Sequence, residues 1–110
     1  MWTLQAMHPE NAGLVFRMLP GTLKTVGRAP RADFVVDVAL VSRVHCRLML
    51  NDTDQLELED LGSTNGTFVN GKKITKVQLS HGDTVTIGRV EFVVNSKAHD
   101  SGAQDTTWSS

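Results

Sequence analysis

The run Thr67-Phe68-Val69-Asn70-Gly71-Lys72-Lys73-Ile74 reads as a β-hairpin. Branched and aromatic side chains favour the pleated strand before the turn. Asn-Gly supplies two residues that tolerate positive φ, which a two-residue turn between antiparallel strands requires. Residues 72–74 form the return strand. Working outward, the apolar residues on both sides come in short runs that often alternate, the period of a half-buried strand. Trp2, Leu4 and Ala6 fall on one face, as do Leu14, Phe16 and Met18, and later Val90, Phe92 and Val94. Leu56 and Leu58 point inward while Glu57 and Glu59 point outward. Residues 34–36, Phe-Val-Val, read as a short strand buried on both faces.

Turn signals separate these runs: residues 7–13, Pro20-Gly21, residues 51–54 and His81-Gly82-Asp83. About ten or eleven short strands follow, with no convincing helix, which is the pattern of an all-β sandwich or barrel. Residues 1–95 form the domain. Residues 96–110 are polar, with Trp108 as their one large apolar side chain, and read as a flexible tail or linker in which Thr106 and Thr107 are inert.

The chain has 110 residues and a formal net charge of −1. That length suits one domain. The charge lacks the basic surplus that bulk attraction to nucleic acid or an anionic membrane would call for. The lone cysteine, Cys46, cannot form an internal disulfide, and no apolar run approaches the roughly 18 residues of a membrane span. The first residues lack the pattern of a signal peptide. These features point to a soluble intracellular protein.

Polar and glycine-rich residues concentrate in three loops: Gly27-Arg28-Ala29-Pro30-Arg31, Ser42-Arg43-Val44-His45 and Gly62-Ser63-Thr64-Asn65-Gly66-Thr67. Arg28 and Arg43 carry planar forks of donors that match phosphate oxygens. Ser42 adds a hydroxyl, and Thr64 and Asn65 offer groups of the kind that hold a peptide backbone. Arg31, Lys72, Lys73 and Lys76 read as a solvated face, or as contacts to acidic residues of a ligand. The histidines and Cys46 lack metal-ligand spacing, and no paired carboxylates or nucleophile-base set is evident. The chain is read as a binding module, not an enzyme, with no cofactor.

Together, Gly27-Arg28, Ser42-Arg43-Val44-His45, Ser63-Thr64-Asn65-Gly66-Thr67 and Asn70-Gly71 resemble the forkhead-associated (FHA) domain, over residues 2–95. The resemblance implies a sandwich of two mostly antiparallel sheets with about eleven strands and binding loops at one end. It implies recognition of phosphothreonine-containing proteins. Arg28 and Ser42 match the residues that hold the phosphate, and Arg43 matches the adjoining position that also reaches it. Asn65 matches the asparagine on the peptide backbone, and Thr64 a threonine that shapes the pocket for the phosphothreonine methyl. Gly27 matches a glycine that lets its loop turn, and His45 a histidine that braces the loops. Gly66, Thr67, Asn70 and Gly71 match turn residues of the same end. Leu40 and Val41 match the loop that reads the third residue after the phosphothreonine, and being apolar they predict no strong demand for an acid there. The opening Met1-Trp2 and the Ser42-Arg43-x-His45 run also resemble the start of nibrin-like DNA-damage mediators, which would place the protein in DNA repair signalling in the nucleus. The alternative is a dimerisation or scaffold module of the same fold, a homodimer with little phosphopeptide binding.

Overall fold

The computed structural model describes residues 1–8 and 13–96. The strands are β1 (Trp2–Ala6), β2 (Val15–Met18), β3 (Thr22–Gly27), β4 (Phe34–Val35), β5 (Cys46–Leu50), β6 (Leu56–Asp60), β7 (Thr67–Val69), β8 (Lys72–Ile74), β9 (Lys76–Leu79), β10 (Thr84–Ile87) and β11 (Val90–Ser96). No helix occurs among the described residues. One sheet has the order β2-β1-β11-β10-β7-β8 and the other β4-β3-β5-β6-β9. All pairs are antiparallel except β3 with β4. This is the expected eleven-stranded, two-sheet sandwich.

Alternation decides which side chains meet. In the first sheet Leu4 lies opposite Val94 and Phe92 opposite both Ala6 and Val85. In the second, Leu48 faces Leu58 and Leu50 faces Leu56. All nine of these side chains are buried and meet in one core between the sheets. Each fully buried large apolar side chain contributes about 1.5–3 kcal/mol. At one margin Phe16 of β2 stacks on Phe34 of β4, with centroids 4.4 Å apart and planes 3° from parallel, and so ties the two sheets together.

Three sequence expectations are corrected here. The segment 34–36 is not a strand buried on both faces. β4 is a two-residue edge strand with Val35 38% exposed and only Val36 fully buried, because among the described residues no strand pairs with its outer side. Thr67 is not a turn residue. It opens β7, is buried, and donates its hydroxyl to the Asp60 carboxylate at 2.7 Å. Asn70 and Gly71 do form the tight turn, with φ of 52° and 83°, but at the other end of the molecule from residues 63–66. β7 carries the chain about 10 Å away at roughly 3.3 Å per residue. There Asn70 is held by Asp83 and by the Thr84 amide.

β11 runs to Ser96, one residue past the expected domain boundary, and Ser96 pairs with Trp2. The rest of the expected tail, with Thr106, Thr107 and Trp108, and residues 9–12 of the first expected turn lie outside the described residues.

Candidate functional site

The site is built where the β3–β5 ladder runs on past its last strand pair, Val26 and Cys46. The His45 amide donates to the Val26 carbonyl (2.8 Å), the Arg28 amide to the Ser42 carbonyl (2.9 Å) and the Ala29 amide to the Arg43 carbonyl (3.2 Å). The first two loops are therefore zipped together by backbone. Gly27 makes this approach feasible: a Cβ at that position would lie 2.0 Å from the Arg43 carbonyl oxygen. Its φ is not positive, so the expected reason for the glycine, freedom to turn, is replaced by close passage of a second backbone. Beyond it, the Ala32 amide donates to the Ala29 carbonyl at 3.0 Å, closing a turn with Pro30 and Arg31 at its centre. Asp33 anchors the far side of that turn. Its carboxylate accepts from the Thr25 amide (2.8 Å) and hydroxyl (3.1 Å), bonds that hold its carboxyl below the usual range.

His45 is fully buried and joins the second loop to the third. The Ser42 amide donates to its Nδ1 at 3.1 Å, so the ring proton is on Nε2, which donates to the Gly66 carbonyl at 2.9 Å. A second tie lies above it: the Thr64 amide donates to Ser42 Oγ at 3.0 Å. A third comes from Asn65, whose side-chain amide donates to the Leu40 carbonyl at 3.1 Å. Leu40 sits at a φ of 74° and is half exposed, whereas Val41 is 3% exposed and belongs to the core. Of the two apolar residues expected to read a ligand, only Leu40 is exposed, and Val41 packs into the core.

The third loop is wound around Asp60. One carboxylate oxygen accepts from the Gly62 and Ser63 amides, the other from the Ser63 and Thr67 hydroxyls. Ser63 Oγ in turn accepts from the Gly66 amide at 2.9 Å. Burial pushes the Asp60 carboxyl up, but the hydrogen bonds from Ser63, Thr67 and Gly62 outweigh it and hold it below the ordinary value.

Arg28, Ala29, Pro30, Arg31, Val35, Asp37 and Arg43 surround one open depression of about 920 Å³. Arg28, Arg31 and Arg43 are exposed, and none is in an ion pair among the described residues. Three permanent cations thus line one concavity with Asp37 as the one acid on its wall. Of the residues expected to hold a phosphate, Arg28 and Arg43 line this depression; Ser42 does not line it but adjoins it through its carbonyl bond to the Arg28 amide, and the structure adds Arg31, Val35 and Asp37. Thr64 is tied to Ser42 and Asn65 to Leu40. Among the described residues, no group of three His, Cys, Asp or Glu side chains could hold a metal. Cys46 is buried, which pushes its thiol up to about 12, with the nearby Asp60 charge adding to the effect. It is no nucleophile at neutral pH.

The FHA domain model matches residues 24–88, from β3 through β10. The chain belongs to the FHA domain family. It is 37% identical over 95 residues to the glycogen accumulation regulator GarA of Mycolicibacterium smegmatis, a match spanning 84% of this chain and 59% of that protein. It is 40% identical over 83 residues to the oxoglutarate dehydrogenase inhibitor of Corynebacterium jeikeium, covering 76% and 56%. Both matches span less than two thirds of the relative. A solved FHA domain studied for phosphothreonine-dependent interactions superposes with a TM-score of 0.76 at 33% identity, covering 86% of this chain and 95% of that one. These findings correct one expectation. The similar curated proteins are bacterial regulators, so neither a nibrin-like DNA-damage role nor a nuclear location has support. Of the opening residues behind that idea, Trp2 begins β1 and is ordinary core: it is buried and its indole donates to Asp54 at 2.9 Å.

Arg31, read in the sequence as a solvated cation or a contact to acidic residues of a ligand, joins the depression because Pro30 and the 29–32 turn aim that loop. One feature of this FHA domain was missed in its sequence, the organising role of Asp60. Asp60 had a usable signal, since Asp followed two residues later by Gly is the pattern of a side chain bonding its own backbone ahead. Asp60→Ala is expected to cost about 2 kcal/mol, because it strands two backbone donors. Asp60→Asn should cost about 1 kcal/mol or less, since one oxygen still accepts from the amides while the hydroxyls can turn to accept from its NH₂. A carboxyl held low in the fold stabilises above its unfolded value, about 3.9, and that stabilisation is lost as pH falls through the folded value. The difference between wild type and Asp60→Asn in urea unfolding should therefore be full at pH 7 and shrink on acidification below about pH 4.

Proposed function

We propose that this FHA domain reads a phosphothreonine on a partner protein, with Arg28, Arg43 and Ser42 holding the phosphate. The observation that carries the reading is the set of guanidinium groups without partners among the described residues around one depression, next to which Ser42 precedes Arg43. A phosphothreonine brings about −1.5 to −2 charges at neutral pH. Two guanidinium forks supply charge-assisted bonds to it, and unmodified threonine offers them nothing. The Ser42 hydroxyl already accepts from the Thr64 amide, so its own proton is left to donate to a phosphate oxygen. The Asn65 side-chain carbonyl has no partner among the described residues and is suited to accept from a peptide N–H. Thr64 adjoins it to pack on the threonine methyl, and exposed Leu40 to meet a later residue of the peptide. His45 and Gly66 hold these loops in place, and Gly27 sets the spacing between Arg28 and Arg43.

The relatives named for glycogen accumulation and for oxoglutarate dehydrogenase favour a role in phosphorylation-dependent control of metabolism. The partner in that reading is a phosphorylated enzyme or the kinase that modifies it, and no cofactor takes part. Calorimetric titration tests it with matched phosphothreonine, phosphoserine and unmodified peptides. Phosphothreonine should bind tightest, phosphoserine more weakly through loss of one methyl contact, about 0.8 kcal/mol or fourfold, and the unmodified peptide not measurably. A library in which no phosphopeptide binds would overturn the reading.

A further inference from the structure

Arg31 is left over once the phosphate is accounted for. It shares the depression with Arg28 and Arg43, yet it stands on the far side of Pro30. A monophosphate is matched by two guanidinium forks and a hydroxyl, so a third cation on the same concavity is surplus to it.

The surplus cation is not on a loose loop. It occupies the centre of the 29–32 turn, closed by the Ala32 amide on the Ala29 carbonyl at 3.0 Å, with Pro30 fixing φ just before it. The three Asp33–Thr25 hydrogen bonds fasten the end of the turn to β3. Backbone entropy is therefore spent on folding rather than on binding, which is the condition for a side chain to discriminate between ligands. Arg31 has no ion pair or side-chain hydrogen bond among the described residues, so none of them competes for the guanidinium. Val35, on the edge strand beneath, gives the depression an apolar floor along which an extended peptide can lie.

We infer that Arg31 reads a second anionic side chain on the ligand, flanking the phosphothreonine on the side away from Asn65. The inference rests on the phosphothreonine reading above and adds a charge requirement to it. The anion is a carboxylate or a second phosphate, since both present the paired oxygens that a guanidinium fork engages. Asp37, the one acid lining the depression, repels such a group, so the anion belongs beside Arg31 rather than beside Asp37.

The test uses the whole chain and fluorescence anisotropy with one phosphothreonine peptide in several forms. Flanking positions are all alanine, or carry glutamate at one position at a time, or carry a second phosphothreonine. One flanking position should show a glutamate preference of about three- to tenfold over alanine, the range between an exposed pair and a well-formed Arg–carboxylate fork. The second phosphate at that position should do at least as well. Arg31→Ala should erase the preference while binding the all-alanine phosphopeptide as wild type does, and Arg31→Lys should keep only part of it. Arg17→Ala removes the same charge from the exposed face of β2 and should leave the preference intact, which excludes a general charge effect. Equal affinity for alanine- and glutamate-flanked phosphopeptides at every position overturns the inference and leaves the phosphothreonine reading standing. So does an Arg31→Ala variant that loses the all-alanine phosphopeptide, since Arg31 would then belong to the phosphate clamp. Failure of every phosphopeptide to bind overturns both.

Discussion

Arg28→Ala should reduce phosphothreonine-peptide binding by about a hundredfold or more while leaving the fold as stable as before. A hydrogen bond to a charged group is worth about 1.5–3 kcal/mol, and a guanidinium fork on a phosphate makes two of them in parallel. Even the lower end of that sum, about 3 kcal/mol, exceeds a hundredfold in affinity. The phosphate left behind would face Arg43 and Ser42 alone. Stability should not change, because the Arg28 side chain is exposed and without an ion pair among the described residues. What fixes the segment in the fold is its backbone amide on the Ser42 carbonyl, which alanine keeps. Titration with a phosphothreonine peptide and a thermal melt on the same sample separate the two outcomes. Arg28→Lys should retain charge but lose the fork, and fall between. Affinity within about threefold of wild type for Arg28→Ala would place the phosphate elsewhere.

Gly27→Ala should damage both the fold and the site. The added Cβ would sit 2.0 Å from the Arg43 carbonyl oxygen and 2.7 Å from its carbonyl carbon, both backbone atoms. A flexible side chain could swing away, but here the neighbour is zipped in place by the amides of Arg28, Ala29 and His45 on both sides of the clash. One of the two segments must move, and the bonds that join them stretch. Overpacking of this kind costs about 3 kcal/mol or more when backbone has to shift. For a domain of this size that is a fall of about 12–24 °C in Tm. Binding should fall as well, since the displaced segments carry Arg28 on one side and Arg43 on the other. Gly71→Ala is the useful contrast. Nothing lies within 4 Å of its Cβ, and its only difficulty is a φ of 83°. That strain costs about 1 kcal/mol, and the turn lies at the end away from the site. A Gly27→Ala protein melting within about 3 °C of wild type would mean that the two segments are not held rigidly together.

These two predictions also mark where the sequence is informative. Alternation places Leu4, Phe16, Leu56, Leu58, Phe92 and Val94 inward, and the structure buries each of them. It works because a half-buried strand admits one assignment of faces, so a wrong register would expose the whole apolar set. The Asn70-Gly71 turn is equally legible, since positive φ at two adjacent positions is rarely tolerated otherwise. Composition fails at Phe34-Val35-Val36, where an apolar run reads as a central strand. An edge strand carrying a stacked ring inside and an exposed valine outside has the same letters.

Legible in the sequence were the all-β class, the strand pattern and the donor-rich residues, Arg28, Ser42, Arg43, Thr64 and Asn65, to which the proposed reading gives the phosphate and the peptide. These follow from local chemistry, the period of the chain and the donor geometry of each side chain. The tertiary structure alone decided which of them share a surface. It sent Asn70 and Gly71 to the far end and turned Val41 into the core. It made Gly27 a point of backbone contact rather than a hinge, and it brought Arg31 and Asp37 to the depression. The reason is that such placements depend on pairings between segments far apart in the chain, such as Arg28 with Ser42 and His45 with Gly66. No local pattern encodes those distances. They are fixed only when the two sheets close on a common core.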